Sequence, residues 1–478
     1  MHETHWPLST AADLHPDEIA VNGPGGAISY LEFDQRVRTA SETLAEAGVQ
    51  PGHRVAIAAA PSLACLTALL GCIRLGAAAV PLNTRWPESS MSDSIESLGC
   101  AVLIHDEDYV IESGASAIPV SHFDHYTLKA QEPPARIDPD QTAVIVYTSG
   151  SGGDPKPAAL SFENLHQNAT QSNRNIEVNP GDAWSLSLPL YHVSGLGVVF
   201  RCIAGGGSIA IPGPDEDIPE ACVKYRVTHL SLVATQLYRL IQFGSGLNAL
   251  RKTKAILLGG SAIPESLIRA AIDNRLPIHT TYGMTETASQ ITTTRPNESI
   301  EALLTSGRPL DPNAVKLSPD GEILVRGDCL FKGYVEGNHC HLELIEGTWF
   351  ATGDRGAFNA KGCLTVFGRR DNQFISGGEN IQPEEIEKFL ALLDGVEEAI
   401  VVPVADEEFG QRPVAFVKAE GHYSLDARTI AEALSRHLPG YKIPRSFYPW
   451  PDHLPEGGIK VSRNKLQTIA EWLARQAS

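Results

Sequence analysis

The chain has 478 residues, enough for more than one domain, and its 42% hydrophobic and 20% charged residues exclude a disordered or fibrous protein. A formal net charge of −19 repels nucleic acid and anionic membrane, so an anionic ligand must be met by a local pocket of cations. Eight cysteines with no Cys-x-x-Cys spacing argue against a structural zinc site and a disulfide framework, and they fit a reducing, cytoplasmic setting.

The first residues, Met1-His2-Glu3-Thr4-His5, carry no basic apolar leader, so no secretory or organelle signal is read there. An uncharged run from Val55 to Ile73 has the length of a membrane span, but Pro61 and Ser62 split it. The expectation is a strand over 55–60 and a helix over 62–75, followed by Gly76, with no membrane span. Further strands are predicted over 79–82, 101–105, 142–147, 208–211, 229–233 and 255–258. Helices are predicted over 163–173, 219–224 and 264–274, the last two with a proline in the first turn. This alternation implies α/β layers built on largely parallel sheet, whose ligand crevices lie beyond the carboxyl ends of the strands. After Pro309 the pattern turns to short β-like runs, 321–327 and 362–368, which suggests a β subdomain. From Asp371 a compact α+β pattern follows, with helices over 383–393 and 425–437 and strands over 399–404 and 413–418. The simplest division is a large N-terminal domain, 1–370, and a small C-terminal one, 371–478.

At the end of the 142–147 strand stands Thr148-Ser149-Gly150-Ser151-Gly152-Gly153-Asp154-Pro155-Lys156. Glycines let backbone N–H groups turn toward a polyanion, hydroxyls add donors and Lys156 adds charge, so the segment reads as a phosphate-gripping loop. It is not the common nucleotide-triphosphatase loop, because no Gly-Lys-Ser/Thr opens a helix. A flexible surface turn is the alternative.

Four more segments follow in order: Tyr282-Gly283-Met284-Thr285-Glu286-Thr287, Thr352-Gly353-Asp354, Gly368-Arg369-Arg370-Asp371 and Gly458-Ile459-Lys460-Val461-Ser462-Arg463. Together with the loop they resemble the adenylate-forming acyl-CoA synthetases, a superfamily that includes firefly luciferase and peptide-synthetase adenylation domains. The resemblance spans nearly the whole chain. Finer matches are similar to the o-succinylbenzoate–CoA ligases of menaquinone biosynthesis. They include Ser187-Leu188-Pro189-Leu190-Tyr191-His192-Val193-Ser194-Gly195, Leu257-Leu258-Gly259-Gly260-Ser261 and Ser376-Gly377-Gly378-Glu379-Asn380. Two positions depart from the family pattern: Gly152 stands where Thr is usual, and Pro157 where Gly or Ala is usual. The first removes a hydroxyl and the second a backbone donor.

The resemblance implies a fold with a small mobile C-terminal lid, and an enzyme that joins a carboxylate to ATP, releases pyrophosphate and passes the acyl group to coenzyme A. ATP, Mg²⁺ and coenzyme A are the implied cofactor and co-substrates, and an aromatic dicarboxylate the substrate; homo-oligomerisation is left open. Lys460 is implied as the mobile cation of adenylation, against a solvated surface lysine. Glu286 is implied as the Mg²⁺ ligand and Thr285 as a contact to the α-phosphate, although a carboxylate favoured by a helix N-terminus fits Glu286 too. Asp354 is expected on the ribose hydroxyls and Arg369 on ribose or phosphate; a turn aspartate and a domain-edge salt bridge are the alternatives. Tyr282 is expected against adenine beside Gly259, Gly260 and Ser261. Asp371 is implied as the hinge, and Ser376-Gly377-Gly378-Glu379 as the loop of the thioester step. His192 and Ser194 are expected along the acyl pocket, with His192 near the coenzyme A channel.

Arg201 is the one charge in the apolar stretch 196–204. An unpaired buried guanidinium is costly, so Arg201 must meet an anion or reach water. o-Succinylbenzoate has one carboxylate to activate and one to anchor, and arginine binds a carboxylate through two parallel hydrogen bonds. A structural ion pair is the competing expectation. His339 and His341, flanking Cys340, lack further ligands at suitable spacing, and a solvated loop is expected there.

Overall fold

The run that divides at Pro61 builds the centre of the first sheet in the computed structural model, which describes residues 4–107, 111–126, 136–148, 155–244, 246–260, 263–377, 379–406, 409–419, 426–451 and 463–477. Val55 to Ala58 are buried in the strand Arg54–Ala58, and the Ser62 hydroxyl then caps the helix Leu63–Leu75 by accepting from the Cys65 N–H at 3.1 Å. That helix has 13 residues, and among the described residues no helix is long and apolar enough to cross a membrane.

Among the described residues the first sheet has eight strands. From one edge they are His339–His341, Gly333–Glu336, Lys156–Ser161, Thr142–Thr148, Ala78–Pro81, Arg54–Ala58, Val102–His105 and Ser116–Pro119. The last five run parallel and the first three join antiparallel. A second sheet, of nine strands among the described residues, has a parallel centre, from Ile278–Met284 through Ala255–Leu258, His229–Leu232, Ala183–Ser185 and Ser208–Ala210 to Ile19–Gly23. Helices Tyr30–Glu46, Leu63–Leu75, Phe162–Asn175 and Val193–Gly205 contribute Phe33, Leu69, Phe162 and Val199 to one continuous core shared with both sheets. Burial on both faces explains why the central strands, such as Arg54–Ala58 and Ala255–Leu258, read as nearly continuous apolar runs.

Beyond them an antiparallel sheet of four strands, Val315–Leu317, Glu322–Val325, Phe350–Phe358 and Leu364–Arg369, forms the β subdomain. The small C-terminal domain has its own cores. Helices Pro383–Leu390, Ala427–Ser435 and Arg463–Ala477 pack on the sheet Val396–Asp406, Gly410–Ala419 and Phe447–Pro449.

Several boundaries differ from the sequence reading, among them the helix expected over 383–393, which ends at Leu390, and the strand expected over 413–418, which is Gly410–Ala419. The strand Val396–Asp406 starts before 399 because its partner Gly410–Ala419 pairs the backbone of Val396 and Glu398 whatever their polarity. Pro264 stands just before the helix Glu265–Asp273, with an extended ψ of 140°, rather than in its first turn. The last expected helix, 425–437, is Ala427–Ser435 with Asp426 as its cap, and Leu425 lies outside the described residues. His339, Cys340 and His341 form an exposed edge strand, not a loop, because Gly333–Glu336 pairs with them.

Candidate active site

Three structural parts meet at the ends of the two sheets. The first is the hairpin that frames the phosphate loop, with Thr148 paired to Lys156 across it. Thr148 is buried and Lys156 exposed. Ser149, Gly150, Ser151, Gly152 and Gly153 lie outside the described residues.

The second part is the turn after Ile278–Met284. Gly283 sits at an irregularity where this strand pairs with Ser289–Thr293, and a Cβ there would lie 2.0 Å from the Ser289 carbonyl oxygen. Thr285, Glu286 and Thr287 make a single 3-10 turn, too short to act as a helix N-terminus. Ala288 and Ser289 follow at φ +58° and +149°, conformations that non-glycine residues rarely adopt and that are held only where surroundings impose them. Asn168, buried in the helix Phe162–Asn175, supplies that constraint. Its Nδ2 donates to the carbonyls of Thr287 at 3.0 Å and Gln290 at 2.7 Å. Gly283→Ala is therefore expected to cost about 2–3 kcal/mol by overpacking and to shift this turn, measured as a lower thermal midpoint together with weaker ATP binding. An unchanged midpoint and affinity would show that the turn tolerates displacement.

Glu286 is 6% exposed, and the Tyr334 hydroxyl donates to its Oε1 at 2.5 Å. Burial raises the Glu286 pKa, and the Tyr334 hydrogen bond works against that rise. Among the described residues there is no group of three His, Cys, Asp or Glu side chains able to hold a metal ion. A single buried carboxylate nevertheless suits Mg²⁺, which commonly takes one or two carboxylates and completes its shell with substrate phosphates and water.

The third part is the strand pair Phe350–Phe358 and Leu364–Arg369. Asp354 opposes Arg369 in this pair, and the guanidinium Nη1 lies 3.2 Å from the Asp354 carboxylate and donates to the Thr352 carbonyl at 2.6 Å. The Tyr282 hydroxyl donates to the other oxygen of Asp354 at 2.7 Å, which ties the second sheet to the β subdomain. Burial and the Asp354 charge push the Tyr282 pKa well up; for Arg369, burial opposes the charge, but Asp354 outweighs it and the pKa rises. Gly259 and Gly260 end the neighbouring strand Ala255–Leu258, and Ser261 is outside the described residues.

Sequence spacing gave no sign of Glu322, which joins this part to the domain boundary. It accepts from the Gly353 N–H at 3.0 Å and from Arg370 at 2.6 Å, and Arg370 precedes Asp371. Asp371 is exposed within a 3-10 turn, Arg370–Asn372. Ser376, buried, and Gly377 and Glu379 belong to the hairpin Phe374–Ser376/Glu379–Ile381, where the Gly377 N–H donates to the Phe409 carbonyl at 2.8 Å. Gly378 and Lys460 lie outside the described residues. Arg463, three positions after Lys460, is held by Glu387 at 2.7 Å.

Against the second part, the helix Val193–Gly205 carries Arg201. His192 immediately precedes it, exposed and edge-on to the Tyr191 ring at 4.8 Å, while Ser194 is half-buried. Arg201 itself is 1% exposed. Its Nη2 donates to the Ser289 hydroxyl at 3.1 Å, its guanidinium lies 5.1 Å from the Trp184 ring, and its Nε has no partner. A Cβ on Gly197 would come within 2.9 Å of Nη2, so this glycine makes the space the guanidinium fills. Among the described residues no carboxylate pairs with Arg201, so the structural ion pair of the competing reading is not found among them. Burial lowers its pKa to about 10, so it remains charged at neutral pH. Ser289 links this buried cation directly to the turn that bears Glu286.

Known proteins resemble this chain over nearly its whole length. The AMP-binding enzyme family matches residues 8–335, and the AMP-binding enzyme C-terminal domain matches residues 385–458. A 2-succinylbenzoate–CoA ligase of Geobacillus sp. is 32% identical, over 97% of this chain and 97% of its own. The fold is similar to o-succinylbenzoate CoA synthetase from Bacillus subtilis in complex with the acyl-adenylate intermediate OSB-AMP, with a TM-score of 0.87 and 30% identity over 98% of this chain and 99% of that one. The same synthetase in complex with ATP and magnesium ion gives a TM-score of 0.87 and 30% identity, over 97% of this chain and 100% of that one. The chain belongs to the AMP-binding, adenylate-forming enzyme family, on the branch that holds the 2-succinylbenzoate–CoA ligases.

Proposed function

We propose that this protein is an ATP-dependent o-succinylbenzoate–CoA ligase acting in the cytoplasm. The observation that carries the substrate assignment is Arg201, a charged guanidinium buried against the Trp184 ring and the Ser289 hydroxyl with one free N–H and no carboxylate partner among the described residues. A site built to leave a cation unpaired fits a ligand that brings its own anion. The benzoate carboxylate of o-succinylbenzoate meets that requirement while its succinyl carboxylate remains available to react. A monocarboxylic fatty acid has no group for Arg201.

In the first step the succinyl carboxylate attacks the α-phosphorus of ATP, one phosphorus–oxygen bond forms, and the bond to pyrophosphate breaks. Anion approaches anion, so fixed cations and donors govern the rate. Lys156 and the phosphate loop hold the leaving phosphates, and Thr285 contacts the α-phosphate. Glu286 holds Mg²⁺, which neutralises phosphate charge when bound. Asp354 takes the ribose hydroxyls, Arg369 steadies ribose or phosphate, and Tyr282 flanks adenine beside Gly259 and Gly260. Lys460 bridges the reacting oxygens. In the second step the coenzyme A thiol attacks the acyl carbon, the carbon–sulfur bond forms and AMP leaves with the oxygen. Residues 371–478 turn about Asp371 between the steps and bring the hairpin carrying Gly377 and Glu379 to the cavity. His192 and Ser194 line the acyl pocket, His192 on the side where coenzyme A enters.

The test is a pyrophosphate and AMP assay with o-succinylbenzoate, ATP and Mg²⁺. Without coenzyme A, one equivalent of pyrophosphate per site and enzyme-held acyl-adenylate are expected; with coenzyme A, continuous AMP and o-succinylbenzoyl-CoA. Absence of o-succinylbenzoate-dependent pyrophosphate would overturn the assignment.

A further inference from the structure

The buried Glu286 has a partner outside the five ordered segments named above. The Tyr334 hydroxyl donates to Glu286 Oε1 at 2.5 Å, across 48 positions of sequence. Tyr334 lies on the strand Gly333–Glu336, which pairs antiparallel with Lys156–Ser161 so that Tyr334 opposes Ala158 and Gly333 opposes Ala159. That register brings the Lys156 ammonium to 5.5 Å from the Tyr334 ring centroid, within reach of the ring's electron-rich face. Two residues earlier in the chain than Gly333, the Phe331 N–H donates to the Glu286 carbonyl at 2.9 Å, and the Phe331 ring packs edge-on against Tyr334 at 5.0 Å. One segment thus contacts the backbone of Glu286, its carboxylate, and the lysine that closes the phosphate loop.

We propose that Tyr334 is a positioning residue of the adenylation site. Its hydroxyl sets the Glu286 carboxylate for Mg²⁺–ATP, and its ring supports the Lys156 ammonium, so that one side chain keeps the metal-holding acid and the phosphate-holding lysine in register. The proposal rests on Glu286 being the Mg²⁺ ligand. A merely structural tyrosine would satisfy the buried acid without coupling it to the metal.

The test measures ATP affinity of the full chain by calorimetry, with Mg²⁺ and with EDTA. Tyr334→Phe keeps the ring that packs on Phe331, so its affinity in EDTA should match the parent, while its thermal midpoint falls modestly because a buried carboxylate loses its donor. Its Mg²⁺-dependent gain in affinity should fall about tenfold or more, the scale of a lost hydrogen bond to a charged group. Tyr334→Leu, lacking the ring, should also weaken ATP binding in EDTA through Lys156. Glu286→Gln separates this proposal from the reading beneath it. If Glu286→Gln loses the Mg²⁺ gain and Tyr334→Phe retains it, or if Tyr334→Phe binds Mg²⁺–ATP more tightly, the role of Tyr334 is overturned while Glu286 stands. If Glu286→Gln itself keeps the gain, the metal assignment falls and this proposal with it.

Discussion

Lys460→Ala is expected to slow formation of the acyl-adenylate by about 10²- to 10³-fold, the usual effect of removing one fixed donor from a charge-developing transition state. Thioester formation from acyl-adenylate supplied ready-made should stay near the parent rate. The asymmetry follows from charge. Joining a carboxylate to a polyphosphate brings two anions together and needs a cation between them, whereas attack of the coenzyme A thiol on the mixed anhydride expels AMP and needs none at that point. Single-turnover measurements of each half-reaction separate the two. Equal losses in both would mean that Lys460 acts through folding of residues 371–478 rather than through the first step.

Arg201→Met should produce a protein that binds its acid poorly and is no less stable than the parent. Truncating one partner of a buried charge pair costs about 2–5 kcal/mol in binding, which is roughly 30- to 4,000-fold in KM for a dicarboxylate. Without ligand the same change removes a guanidinium that has one orphaned N–H and no counter-ion among the described residues. Replacing buried ionic groups by apolar side chains of similar volume is often neutral or stabilising by about 1–4 kcal/mol. The thermal midpoint of the unliganded variant should therefore equal or exceed the parent's, while protection by saturating substrate, about 2.7 kcal/mol at a hundredfold excess over Kd, should disappear. A variant that unfolds at lower temperature would identify Arg201 as part of the core architecture, held by Ser289 and Trp184, rather than as a ligand anchor.

Part of the fold around this site was readable before any geometry. The apolar run 143–147 marks a buried strand because parallel sheets bury their strands, and it forms within Thr142–Thr148, while the phosphate loop expected at its end, 149–154, lies outside the described residues. Arg201 stood out because a lone charge in an apolar helix has few tolerable fates. The connections between these features were not readable. Tyr334 reaches Glu286 only because Gly333–Glu336 pairs with Lys156–Ser161, and Ser289 reaches Arg201 across 88 positions only because the second sheet packs on the helix Val193–Gly205. Glu322 resembles any strand-opening acid until the irregular pairing with Phe350–Phe358 brings the Gly353 N–H onto its carboxylate. Register between distant strands fixes such contacts, and local pattern carries no record of it. The positive φ angles of Ala288 and Ser289 were equally hidden, since neither residue type favours them and the constraint comes from Asn168 on another helix.

The most direct measurement compares kcat/KM for o-succinylbenzoate with that for the analogue lacking the benzoate carboxylate, in the parent and in Arg201→Met. The expected result is a preference of roughly 100-fold or more for the dicarboxylate in the parent, collapsing toward equality in the variant. An equal preference in both proteins would contradict the assignment of the buried guanidinium as the substrate's anchor.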